Sequence, residues 1–148
     1  MKVSHHDLKV ELPDEWWIAA GMSNFAPCSS AYRCDHVAAG HRRVCLIRIT
    51  DIEPVRRAAG VPVFNDRCWD GISARERVQS IIRGFIQNAE LPPVELSRQT
   101  MPGPYLFCLK NGVHRLYCSL AAGYTDIPAV KAFDLEAFDA DRDLEELC

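Results

Sequence analysis

A chain of 148 residues, 48% hydrophobic and 25% charged, is most simply one globular domain with enough apolar mass to bury a core. Its formal net charge of -3 excludes a generic nucleic-acid binder, which is as a rule basic, and no apolar run nears the roughly 20 residues needed to span a bilayer. The opening residues MKVSHHDLKVELPDEWW carry neither the basic region nor the apolar core of a secretory signal, so the expected location is the cytoplasm.

Residues 8–12, LKVEL, alternate apolar and polar before Pro13, as a short strand does. PDEWWIAAGM follows with proline at a helix-start position and acids in the first turn, which predicts a short helix with Trp16 and Trp17 used for packing. Residues 23–43 are rich in Ser, Gly, Pro and polar residues and are expected to form a long connection. VCLIRIT, 44–50, is rich in β-branched residues and predicts a strand at least half buried. DIEPVRR turns the chain at Pro54, and a short strand is expected at 61–64.

Ser73-Ala-Arg-Glu76 has the form of a capping box, in which serine and glutamate satisfy each other's orphan backbone donors. The helix it opens carries Val78, Ile81, Ile82, Phe85, Ile86 and Ala89 on one face and aligns Arg77, Ser80 and Gly84 on its polar side. LPPVELS and PYLFCLK read as strands joined by the turn MPGP. In NGVHRLYCSLAAGY, 111–124, Asn111 is the expected N-cap, Val113, Leu116 and Leu120 the inward stripe, and Gly123 the left-handed C-terminal cap. IPAVKAF is a final strand, and DLEAFDADRDLEEL an acidic helix or tail. This order of elements predicts a compact α+β domain with a small mixed sheet and packed helices.

Seven cysteines with no CxxC pair fit a reduced compartment better than a disulfide framework. Cys34, His36, His41 and Cys45 lie close in sequence, but their spacing matches no common zinc pattern, so no metal site is expected. Charge is unevenly placed. Arg42, Arg43, Arg48, Arg56 and Arg57 share one window, whereas the tail from Asp134 is strongly acidic. A basic window in an acidic chain suggests a local anion site.

The start of the NGVHR helix is a second candidate. The first backbone N–H groups of a helix lack intrahelical partners and carry the positive end of its dipole. Gly112 lets an anion approach that backbone closely, Arg115 adds a planar fork matched to phosphate oxygens, and His114 a further donor.

The order of these segments, with "RVQSIIRGF…LPPVEL…YLFCLKNGVHRLYCSLAAGYTDIPAV", resembles the ParB/sulfiredoxin superfamily over about residues 44–133. Residues 1–43 then form an N-terminal extension, and 134–148 a C-terminal acidic segment. The resemblance implies a nucleotide, ATP or CTP, with its phosphates on Gly112, His114 and Arg115. It assigns Arg77 to the place of a sulfiredoxin lysine, Ser80 to that of the helix serine, and Arg48 to that of a further basic residue. Gly84 replaces a threonine. Val113 occupies the place of the sulfiredoxin cysteine that carries redox chemistry, so sulfinic acid reduction is not expected. The helix-turn-helix and dimerisation regions of full ParB proteins do not follow, so sequence-specific DNA binding by this chain alone is not expected.

Three functions compete at this stage. One is an NTPase or small-molecule phosphotransferase, in which Arg77, Ser80, His114 and Arg115 hold phosphates, Mg²⁺ assists, and Glu53 or Glu76 orients the nucleophile. Another is a non-catalytic module that responds to nucleotide and acts through a protein partner. The third, a ParB-like nuclease, is disfavoured by the negative net charge and the lack of a carboxylate-rich metal motif.

Overall fold

The computed structural model describes residues 1–55 and 71–132. The strand expected at 61–64, Arg56 and Arg57, and the acidic segment from Asp134 lie outside those residues.

The chain opens with a hairpin of β1 (Lys2–His5) and β2 (Leu8–Glu11), antiparallel with Val3 opposite Val10 and His5 opposite Leu8. Only β2 was expected. The link is the pair His6–Asp7, with His6 at φ 56°, a left-handed turn conformation usually announced by Asn-Gly rather than His-Asp. Pro13 then caps α1 (Asp14–Ala19), whose first turn holds Asp14 and Glu15 and whose Trp16 is buried. Trp17 packs against the same core.

The main sheet has four strands in the order β3-β6-β4-β5. These are β3 (Cys45–Arg48), β4 (Val94–Arg98), β5 (Phe107–Asn111) and β6 (Asp126–Lys131). β6 runs antiparallel to β3 and parallel to β4, and β4 and β5 form an antiparallel pair, so the sheet is mixed. β3 is shorter than VCLIRIT predicts because the chain turns into a 3₁₀ segment at Ile49–Asp51.

Two longer helices pack on each other, α2 (Ala74–Gln87) and α3 (Val113–Ala122), with α3 also against β4 and β1 and α2 against α1. Ser73 caps α2 by accepting from Glu76 N–H at 3.1 Å. Asn88, at φ 51°, closes its C-terminus with N–H bonds to the Gly84 and Phe85 carbonyls. Val78, Ile82 and Phe85 are buried as the stripe predicts, whereas Ile86 stays 44% exposed.

Residues 1–43, the expected N-terminal extension, pack into the main core. Val3, Val10, Leu12, Trp16, Met22 and Tyr32 belong to the same core cluster as α2, α3 and the sheet. Within the stretch expected to be a plain connection, Cys34 forms a parallel bridge to Leu91. The Ser30 carbonyl accepts from the amides of Thr125 and Asp126.

Among the described cysteines, 28, 34, 108 and 118 are free, where a reduced chain was expected throughout. Cys45 departs from that expectation and is disulfide-bonded. No helix among the described residues is long and apolar enough to cross a membrane.

Among the described residues, one buried side-chain polar atom has no hydrogen-bond partner, the hydroxyl of Ser119 on α3. A buried polar group left unpaired costs about 1–3 kcal/mol. Ser119→Ala is therefore expected to leave stability unchanged or raise it by up to about 1 kcal/mol, read as an equal or higher midpoint in urea unfolding.

Candidate functional site at the start of α3

The register of β4 and β5 sets the site. Glu95 pairs with Asn111 at one end of the ladder and Arg98 with Phe107 at the other, with an irregularity between Glu95 and Leu96. The start of β4 therefore lies beside the end of β5, which brings the Leu91-Pro92-Pro93 approach to β4 against the beginning of α3.

Gly112 rather than Asn111 is the N-cap residue of α3; Asn111 ends β5. Gly112 stands at φ 105°, and a Cβ there would lie 2.7 Å from Val94 Cγ1 and 3.0 Å from an Arg115 guanidinium nitrogen. The backbone conformation and the closeness of β4 both exclude a side chain, which is why asparagine cannot occupy this place. No side chain caps the helix, and its first turn contains no acid. The dipole at this helix start favours an anion.

The helix start borders a cavity of about 720 Å³. α2 supplies Glu76, Arg77, Ser80 and Ile81 to one wall, and α3 supplies Val113, His114 and Arg115 to the facing one. Leu91 and Pro92 contribute to its margin, as do Ile72 and Ala74. Among the described lining residues, two guanidinium groups and an imidazole accompany one carboxylate, inside a chain of net negative charge. Arg115 Nη1 donates to the Pro92 carbonyl at 3.2 Å.

Of the residues expected to act, the structure brings together Gly112, His114, Arg115, Arg77, Ser80 and Glu76. Arg48 and Glu53 are not among the described lining residues. Arg48 is exposed on edge strand β3, opposite Asp126, with β6 between it and β4. The Glu53 amide donates to the Phe107 carbonyl, and its carboxylate accepts from Gln99 Nε2. Phe107 and Asn111 are opposite ends of β5, separated by about 13 Å of strand.

Gly84 lies in line with Arg77 and Ser80 on α2, as the spacing predicts, but not on a polar face. It is buried, and a Cβ there would meet Leu91 at 3.0 Å. Its function is to admit Leu91, and with it the Pro92 carbonyl, close to α2. Periodicity alone could not report this, because it fixes the angle of a residue around a helix but not what packs there.

Arg42 Nη1 is paired with Glu95 Oε1 at 2.9 Å, and its Nε donates to the Ala39 carbonyl. No group of three or more His, Cys, Asp or Glu among the described residues is placed to hold a metal ion.

Cys118 is fully buried and its thiol is pushed well above the usual range by desolvation, so it is inert as a nucleophile. Val113, at the cavity wall, has no group that could carry redox chemistry.

No protein-family model, no curated protein and no solved structure matches this chain.

Proposed function

We propose that this chain is a ParB/sulfiredoxin-like protein that binds the phosphate chain of a nucleotide, ATP or CTP, at the start of α3. One observation carries this reading: an uncapped glycine helix start opens on a cavity whose facing walls hold Arg77, Ser80, His114 and Arg115. Backbone amides, a hydroxyl and two planar cations are the donor set that phosphate oxygens require. The apolar part of the wall, from Ile72, Ile81, Leu91 and Val113, suits a less polar portion of the ligand.

Phosphoryl transfer is mostly positioning and charge neutralisation. Turnover in this site would use Glu76, which lines the cavity, in preference to Glu53, whose carboxylate is engaged by Gln99. Mg²⁺ is held in nucleotide sites by one or two carboxylates together with the phosphates, a demand that Glu76 fits. Its contribution when bound is to neutralise charge developing on the transferred group.

A thermal-shift series with ATP, ADP, CTP and GTP, with and without Mg²⁺, tests the reading. Wild type should be stabilised by at least one nucleotide. Arg115→Ala should weaken that binding by about 10- to 100-fold, the equivalent of losing charged hydrogen bonds worth about 1.5–3 kcal/mol. No stabilisation of wild type by any of the four would refute phosphate recognition. Phosphate release separates an enzyme from a nucleotide-responsive module that signals to a protein partner.

A further inference from the structure

Arg115 does not reach the cavity alone. The carbonyl oxygen of Pro92 has two lone pairs, and two donors use them: Arg115 Nη1 at 3.2 Å and the Tyr32 hydroxyl at 2.6 Å. We propose that Tyr32, from the N-terminal extension, is a positioning residue for the phosphate grip, holding the Arg115 guanidinium in place through the shared Pro92 oxygen. The proposal rests on the phosphate-binding reading above.

The surroundings of Pro92 make that oxygen a fixed point. Pro92 and Pro93 have restricted φ and no N–H to offer, so the turn presents carbonyls only. The backbone of Leu91 is held on both sides by the extension: its N–H donates to the Arg33 carbonyl at 2.9 Å, and its carbonyl accepts from Asp35 N–H at 2.8 Å. Its side chain rests on Gly84 of α2. An ion pair between Arg33 and Glu90, 3.0 Å, closes the same junction from outside.

Tyr32 is itself immobilised. It is 4% exposed, and its ring stacks on Phe85 with centroids 5.8 Å apart and an interplanar angle of 25°. Burial pushes its hydroxyl well above the ordinary tyrosine range, while the nearby Arg115 charge opposes that shift. The hydroxyl therefore remains a proton donor, as the bond to Pro92 requires.

At the other end, an Arg115 guanidinium nitrogen lies over Gly112, 3.0 Å from where a Cβ would be. The guanidinium is thus set between the Pro92 oxygen and the helix start. A long side chain ordered in advance loses less freedom when a ligand arrives, which is the usual route by which preorganisation raises affinity.

The test is a double-mutant cycle read by calorimetric titration with ATP and with inorganic triphosphate. Tyr32→Phe keeps the ring on Phe85 and removes only the hydroxyl. It should weaken both probes by about 3- to 10-fold, the range expected for freeing one flexible side chain. In an Arg115→Ala background the same change should have no effect on affinity, because the group it positions is gone.

If Arg115→Ala weakens binding but Tyr32→Phe does not, or if its loss is equally large in both backgrounds, the positioning role is wrong and phosphate recognition stands. If wild type binds neither probe, or Arg115→Ala binds as wild type does, both readings fall. NMR of the isotope-labelled guanidinium gives a readout without ligand. Rotation of the Arg115 group should be slow in wild type and faster in Tyr32→Phe, and equal rates overturn the proposal.

Discussion

Gly112→Ala is expected to cost both fold and ligand. An alanine at φ 105° is strained by about 1–3 kcal/mol. Its methyl would lie 2.7 Å from Val94 Cγ1, and overpacking of that kind adds about 1–3 kcal/mol. A combined loss of about 2–6 kcal/mol is expected, read as a lower urea midpoint at unchanged slope. Arg115 gives the change a second consequence, since its guanidinium nitrogen is 3.0 Å from the same methyl position. The guanidinium must move off the helix start, so nucleotide affinity should fall by more than the loss of stability explains. Wild-type stability in this variant would refute the account of the turn.

Tyr117→Phe should also be costly, through a chain of hydrogen bonds that ties the N-terminal hairpin to the segment after β3. The Ile49 carbonyl can only accept, so His5 Nε2, 3.1 Å away, carries the imidazole proton. Nδ1 is then an acceptor for the Tyr117 hydroxyl at 3.5 Å, and that hydroxyl accepts in turn from Val55 N–H at 2.9 Å. Phenylalanine removes the middle of the chain and is expected to lower stability by about 1–3 kcal/mol.

The same chain gives stability a pH dependence. His5 is 2% exposed, and desolvation lowers its pKa below the ordinary 6.5, with the neighbouring His6 charge acting in the same direction. The unfolded chain then binds a proton more readily than the folded one. The contribution of His5 is fully present above about pH 6.5 and declines as the pH falls below that value toward the lower folded pKa. Urea unfolding between pH 7.5 and 5 should show this decline, and His5→Gln should flatten it. An unchanged slope in His5→Gln would assign the acid sensitivity to other groups.

Local chemistry made much of this chain legible. The serine cap of α2, the left-handed glycine after α3 and the burial of Val78, Ile82 and Phe85 follow from interactions within a few residues. So does the gathering of Arg77 and Ser80 on one side of α2, because three residues on a helix span nearly one turn. The hairpin turn at His6–Asp7 escaped because its left-handed residue is a histidine. Placing Asn111 as the cap missed by one residue for a related reason: capping preference favours asparagine, but the closeness of β4 requires the residue without a side chain.

The sequence by itself determined an α+β order of elements, a helix start with no acid in its first turn and the two α2 residues beside it, since each depends on spacing and on the chemistry of near neighbours. Only the tertiary structure decided which distant residues share the cavity. Strand order sets Arg48 on edge strand β3, the Glu53 amide pairs with Phe107 at the other end of β5 from Asn111, and Glu95 pairs with Arg42 of the arginine window. The packing of the extension onto Leu91 and Pro92 brought Tyr32 to an oxygen that Arg115 also uses, across sixty residues of sequence from Tyr32 to Pro92. Contacts of that length are set by which faces the core can bury together, and no local pattern records them.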